Sequence, residues 1–480
     1  MVLSFNMEKR LIKRKIMNIS KILIHKNNIN SFNIVFFILL FGSFIIVSSF
    51  PNIYANHSTS KIDPQIFDSG YTIEKFADGL QFPTTMDFSD NGIFVLEKNS
   101  GKIFHIEFNE EKNTKLVLDL SVASFSESGL LGITVVDEKF VYLFFSQSDF
   151  DKWGLDENSS DVVFRYTWNG NKLVDPIFIK SFDGNHIRHH GGVMTNDKEK
   201  NVFFFKGDGD SKGIYQNFPN SKNFQSGIFK IDKNNSVELY AMGLRNSFGL
   251  AIDPLTGNLW ETENSSVTYD EINLIFPKFN GGWELNVGPS NRFDSEIPNN
   301  LHKIHESEFQ NFTYNDPKFS WYDSIGPTAI AFPSINFKNY TDWLFVGDSN
   351  HGNIYKFHLN ENRTDFIFSN FELTKDHVLD LNDSNTELLF ANIPGIVTDI
   401  KFKDDSMYVV SHSDGTIYRI FPYESNSTKM ISINSTNTIN IQISPENDSK
   451  NIIEQITELH EIIYSFLERN YLATINRLYN

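Results

Sequence analysis

Short apolar stretches alternate with polar turns along most of the chain, and three of them share one plan. "GIFVLEKNSGKIFHIE" (92–107), "WLFVGDSNHGNIYKFHL" (343–359) and "MYVVSHSDGTIYRIF" (407–421) each hold an apolar strand, a polar turn ending in glycine, and a second strand of alternating character. Period-two alternation is the pattern of a β-strand. The same plan recurs at 129–146, 191–208 and 248–264, and more loosely at 328–348. The units begin near Thr84, Gly129, Gly191, Phe248, Thr328 and Val397, with no amphipathic helix between them. Six repeats of several short strands predict an all-β fold, a six-bladed β-propeller over residues 65–422. A β-sandwich is the runner-up, although six copies exceed what it needs.

The two ends depart from this pattern. Ile34–Phe50, "IVFFILLFGSFIIVSSF", is continuously apolar and follows Lys9, Arg10, Lys13, Arg14, Lys15, Lys21 and Lys26, against the single acid Glu8. A basic flank before an apolar run predicts a signal peptide or N-terminal membrane anchor helix within residues 1–55, with the rest exported, either secreted or held at the outer face of the cell membrane. After Pro422 a Ser/Thr/Asn-rich linker covers 423–450. Residues 451–480 then place Ile452, Ile456, Leu459, Ile463 and Phe466 on one helical stripe, which predicts a C-terminal amphipathic helix docking on its own propeller or joining copies of the chain in a homo-oligomer.

Composition narrows the chemistry. The chain has no cysteine, so disulfides and thiolate metal sites are excluded. Setting aside residues 1–55 leaves 35 basic and 59 acidic residues, a net of −24. A body this acidic argues against nucleic acid and anionic membranes as partners and suits divalent cations such as calcium. Sequons at Asn311, Asn339, Asn362 and Asn434 would be glycosylation sites in an exported chain.

In a propeller, the segments entering the inner strands converge on one mouth of the central channel. Here they carry Glu127, His189 with His190, Arg245 with Asn246, and Ile396 with Thr398. Convergent polar groups at a concave mouth form the default site. "HIRHHGGVM" (186–194) clusters His186, His189 and His190. A strand turns successive side chains to opposite sides, so at most one of His189 and His190 faces the channel. With no carboxylate or cysteine nearby, zinc is disfavoured against a single histidine base or a histidine capping the strand. Gly191 and Gly192 would let a ligand approach the backbone. "GDGDSKG" (207–213) is no phosphate loop, because no helix follows it.

"SGLLGI", "HHGGVM...FFFKGDGD", "GLRNSFGLAIDPLTGNLWETENSSVTYDEINLI" and "FNGGW" resemble, in order and spacing, the soluble quinoprotein sugar dehydrogenases, or glucose/sorbosone dehydrogenase family. The resemblance spans nearly the whole propeller. It implies oxidation of an aldose with pyrroloquinoline quinone (PQQ) and calcium. His189 would be the base for the sugar hydroxyl; Arg245 and Asn246 would contact the quinone, with Glu127 at the same site. The backbone carbonyls of Ser265 and Ser266 would hold the cofactor's calcium, and Glu271 a structural calcium. Hydride needs such a cofactor, since no side chain accepts it. The electron acceptor and the particular sugar are left open.

Several family positions are changed. A lysine and an Arg-x-Arg pair that bind PQQ carboxylates read Asn350, and Ile396 with Thr398; another arginine reads Val193. Each missing charge-assisted bond is worth roughly 1.5–3 kcal/mol. His351, Lys98, Lys206 and Arg188 are the cations that could stand in. Besides the dehydrogenase, the residues allow a non-catalytic propeller binding a glycan or protein, as hedgehog-interacting relatives suggest, or, more weakly, a calcium-dependent hydrolase or lactonase.

Overall fold

The computed structural model describes residues 63–148, 159–210, 216, 226–292 and 311–423. The expected anchor helix, the polar linker and the C-terminal helix lie outside these residues. No helix among the described residues is long and apolar enough to cross a membrane. The chain divides into two units, Met1–Asp63 and Pro64–Asn480; every described strand belongs to the second.

That unit is all-β and propeller-like, with one short α-helix, Phe371–Asp376, and a 3-10 turn at Ser290–Arg292 among the described residues. Its strands form six sheets. Their first strands are Pro83–Ser89, Leu130–Val136, Gly191–Asn196, Ser247–Ile252, Pro327–Ala331 and Val397–Lys403. Each adjoins the next in that order, and the last adjoins the first. Three sheets have four strands, and the others extend to five or six by short additions such as Phe279–Asn280 and Val378–Leu379. Ring closure is made by an early strand pairing with the last one: Tyr71–Ala77 pairs antiparallel with Thr416–Pro422, with Tyr71 opposite Pro422 and Thr72 opposite Phe421.

The apolar pattern explains the stacking. The strands Gly92–Glu97, Leu259–Glu263 and Ser406–Ser411 are buried at every position, because each sheet is covered on both faces by its neighbours. Six hydrophobic clusters fill the gaps between consecutive sheets. Phe94, Leu96, Leu130 and Leu143 lie in one, and Trp260, Trp321, Leu344 and Phe357 in another. The cluster of Phe76, Met86, Ile93 and Tyr408 fills the gap at the closure. Full burial of each large apolar side chain stabilises by roughly 1.5–3 kcal/mol. Inner strands approach closely: a Cβ on Gly132 would lie 1.8 Å from the Gly192 carbonyl oxygen.

Candidate active site

The six strand entries surround a cavity of about 420 Å3. Glu127, His189, Arg245, Asn246, Ile396 and Thr398 all line it, so the structure brings together positions spread over 270 residues of sequence. Glu127 ties three of the entries: its Oε2 accepts from the His189 backbone N–H at 2.7 Å and from Asn246 Nδ2 at 3.2 Å.

His189 sits in the left-handed region, φ 61°, at the turn into Gly191–Asn196. Its Nδ1 lies 2.6 Å from Asp208 Oδ1, and its Nε2 is 3.6 Å from Asp210 Oδ1. Asp208 follows the partner strand Val202–Lys206, whose Lys206 stands opposite Gly191, and this hairpin brings acid and imidazole together. The other Asp208 oxygen accepts from Trp283 Nε1 at 2.9 Å. Burial works to raise the Asp208 pKa, but the hydrogen bond and charge of His189 outweigh it and hold the carboxyl below its ordinary range. A carboxylate on Nδ1 fixes the tautomer with Nδ1–H, leaving the Nε2 lone pair to take a proton.

Arg245 and Asn246 are held from beneath by Glu263, whose Oε1 accepts from their backbone N–H groups at 2.8 and 2.9 Å. The Arg245 guanidinium lies over the Trp283 ring, 5.6 Å from its centroid, and Nη1 donates to the carbonyls of Asn264 (2.8 Å) and Ser265 (2.9 Å). Ser265 lines the cavity, whereas Ser266 is exposed and outside the lining. Glu271 is buried away from the cavity. Its two oxygens accept from the Gly288 backbone N–H at 2.7 Å and Asn273 Nδ2 at 3.0 Å, and burial pushes its pKa up to about 7. Beside it, burial pushes Glu261 up to about 8; Glu263 rises well above its usual range through burial and the charge of Glu261.

The histidine cluster divides. His189 faces the cavity; His190 turns away and is fully buried, with Nδ1 2.9 Å from Asp161 Oδ1 and Nε2 2.9 Å from the His186 carbonyl. Asp161 supplies the carboxylate that the sequence reading found missing. It lies on the neighbouring sheet, 25 positions before His186, where local spacing gives no signal. Asp161, His186 and His190 could together hold a metal, but the Lys206 ammonium already fills the cluster. Its Nζ lies 3.2 Å from Asp161 Oδ2, 3.0 Å from His186 Nε2 and 3.1 Å from the Gly207 carbonyl. Burial opposes ionisation of Asp161, and Lys206 and His190 outweigh it, taking its pKa well below the usual range.

Gly191 lines the cavity and Gly192 does not, and packing and backbone conformation require glycine at both. Their φ angles are 70° and 109°, and a Cβ would meet Phe205 Cδ1 at 2.6 Å and Leu131 Cβ at 2.5 Å respectively. Of the cations that could stand in for the lost arginines, Lys98 and Arg188 line the cavity. Lys206 is committed to Asp161, and neither His351 nor Asn350 lines the cavity. Asp208, Glu263 and Trp283 were not assigned roles from sequence. The Gly207-Asp208 step was the usable signal for the first; Glu263 and Trp283 act from beneath and beside the loop, with no spacing to mark them.

The family model for glucose/sorbosone dehydrogenase matches residues 80–419. Aldose sugar dehydrogenase YliI of Escherichia coli K12 is 22% identical over 300 residues, 57% of this chain and 77% of that protein. The uncharacterized Synechocystis protein slr1608 is 25% identical over 256 residues, 46% of this chain and 60% of the relative, less than two thirds of its length. Among solved structures, the apo-form soluble aldose sugar dehydrogenase of Escherichia coli aligns with TM-score 0.56 at 18% identity, over 74% of this chain and 100% of that one. The PQQ-bound aldose sugar dehydrogenase of Streptomyces coelicolor aligns with TM-score 0.54 at 17% identity, over 74% and 99%. At these identities the structural likeness establishes the fold.

Proposed function

Because the chain belongs to the glucose/sorbosone dehydrogenase family, we propose that it oxidises an aldose sugar with PQQ bound in the cavity between its strand entries. We count its six sheets as six propeller blades, a reading supported by the closed ring of first strands. The observation that carries the reaction is the His189–Asp208 pair, a buried histidine on the cavity wall with its tautomer set by a carboxylate.

The residues present suit a flat, polar cofactor. The volume lies in the usual range for small-molecule sites. Leu131, Val193 and Phe248 give the wall apolar surface that excludes water. Asn246 Oδ1 is buried in this wall without a hydrogen-bond partner, an acceptor that a ligand donor would satisfy. Arg245 and Asn246 would hold the quinone; PQQ, when bound, supplies the hydride acceptor. His189 Nε2 takes the proton of the sugar hydroxyl. The imidazolium formed is stabilised by Asp208 on one side and by Asp210, 3.6 Å away, on the other. Arg245 places positive charge where negative charge develops. The residues expected for calcium fit less well. The Ser265 carbonyl is engaged by Arg245, and both Glu271 oxygens have donors, so the proposed reaction runs on His189, Asp208 and Arg245.

The location proposed is outside the cytoplasmic membrane, on the seven basic residues before the apolar run; protease added to intact cells should cleave the propeller. The alternative, a non-catalytic binder of a glycan or protein, draws on Ile396 and Thr398, which line the cavity where the family has cations. Purified protein incubated with PQQ, with and without calcium, decides between them. Sugar-dependent reduction of a dye supports the dehydrogenase, and saturable binding of PQQ or sugar without reduction supports the binder.

A further inference from the structure

The cavity has three strong cations, and two of them are already engaged. Arg188 pairs with Asp210 at 3.1 Å. Arg245 donates through Nη1 to two backbone carbonyls and lies over the Trp283 ring, at the position proposed above for the quinone. Lys98 differs. Among the described residues its Nζ donates only to neutral acceptors, the Ser126 carbonyl at 2.6 Å and Asn99 Oδ1 at 3.1 Å. Among the described residues no carboxylate lies within ion-pair distance of it. Burial pushes its pKa down to about 8, partly offset by the charge of Glu127. A half-buried ammonium with a carboxylate near but none at ion-pair distance is costly to keep unless something anionic visits it.

The site around Lys98 is built rather than incidental. Lys98 follows the strand Gly92–Glu97, and its carbonyl accepts from the Leu130 backbone N–H at 2.9 Å, fixing it against the entry to the second sheet. Gly129 clears the path for the stem: a Cβ there would lie 2.8 Å from Lys98 Cγ and 2.5 Å from the Lys98 carbonyl oxygen. The stem therefore runs across a glycine that makes room for it, and Lys98 contributes to the lining.

We infer that Lys98 is the carboxylate-binding residue of this cavity, supplying the positive charge that Asn350, Ile396 and Thr398 do not. The inference rests on the reading of the cavity as a cofactor and sugar site. The carboxylate has two sources, the cofactor or an acidic sugar such as a uronate, and the chemistry at Lys98 is the same for both: an ammonium donating to a carboxylate oxygen. Its Nζ has one donor beyond the two already engaged.

The test is direct binding, with no turnover required. Quenching of tryptophan fluorescence measures PQQ affinity, and equilibrium dialysis measures affinity for glucuronate and for glucose, in the wild type, Lys98→Met and Lys98→Arg. Methionine keeps the unbranched stem and removes the charge; circular dichroism checks the fold. Loss of one charge-assisted bond should weaken binding about ten- to a hundredfold, with most of it restored by arginine. Weaker PQQ binding assigns the carboxylate to the cofactor. Unchanged PQQ affinity with loss of glucuronate but not glucose assigns it to the substrate. In the responding arm, wild-type affinity should fall as pH rises through about 8, while Lys98→Arg holds its affinity. Wild type that binds PQQ, with Lys98→Met unchanged toward both PQQ and glucuronate, overturns the inference and leaves the functional reading standing. Wild type that binds glucuronate but not PQQ overturns the functional reading and leaves Lys98 to be judged on the sugar. Wild type that binds neither overturns both.

Discussion

Replacing Asp208 with asparagine changes one atom and should disable the base. Asp208 is an acceptor for three donors: His189 Nδ1 at 2.6 Å, Trp283 Nε1 at 2.9 Å and the Asp210 backbone N–H at 3.1 Å. An amide has one acceptor oxygen. If that oxygen stays on His189, the NH2 group opposes the Trp283 N–H, leaving a buried donor unpaired at about 1–3 kcal/mol. If the amide flips, its NH2 donates to His189 Nδ1 and the imidazole proton moves to Nε2, where no lone pair remains for the sugar hydroxyl. The second outcome removes a positioned base, so kcat should fall by about 10²–10⁴, equal to about 2.7–5.5 kcal/mol of barrier. Asp208 does not line the cavity, so PQQ affinity should stay near wild type. Dye-coupled turnover with PQQ and an aldose, measured beside fluorescence binding, checks both. Turnover within about threefold of wild type would refute the tautomer argument, because a dispensable base contributes less than the general range.

Other outcomes follow from the buried groups. Lys206→Met strands Asp161 without its ammonium partner and should cost about 3–5 kcal/mol in urea unfolding, the usual result of breaking a buried ion pair; a loss under about 0.5 kcal/mol would show that His186, His190 and Ser146 suffice to hold Asp161. Glu261 is held neutral by burial, with its pKa pushed up to about 8. A carboxyl whose folded pKa lies above its unfolded value contributes stability at low pH that is lost as pH rises from about 4 through 8. Glu261→Gln should therefore flatten the decline in urea midpoint between pH 6 and 9, and an unchanged slope would contradict the assignment. His189→Ala should lower turnover by about a hundredfold or more. His190→Ala should instead lower the unfolding midpoint, because His190 bonds Asp161 and a backbone carbonyl away from the cavity.

Much of the architecture could be read from period-two alternation. The expected unit starts at Thr84, Gly129, Gly191, Phe248, Thr328 and Val397 each fall within one residue of a first strand or inside it. Strands buried on both faces advertise themselves by apolar runs, and the turns between them by glycine. The strand entries were legible for the same reason: once six first strands are located, Glu127, His189, Arg245 and Asn246 must share a mouth. Groups that act from another sheet were not legible. Asp161 reaches His190 only after two sheets pack; Lys98 was legible as a candidate cation, but its place in the cavity, across Gly129, was not. The added strands also escaped notice: Phe279–Asn280 and Thr313–Tyr314 are two residues each, too short to show a period.

The central claim is that His189 moves the sugar proton at a PQQ site in this cavity. Rapid mixing of the PQQ-loaded protein with excess aldose, in the absence of any dye, tests it most directly by following quinone absorbance in a single turnover. Wild type and His189→Ala should bind PQQ with similar affinity. On mixing with sugar, the quinone band of wild type should bleach in one phase, and that of His189→Ala about a hundredfold more slowly. A loaded wild-type protein whose quinone band is unaffected by aldoses, or a His189→Ala variant that bleaches at the wild-type rate, would contradict the account.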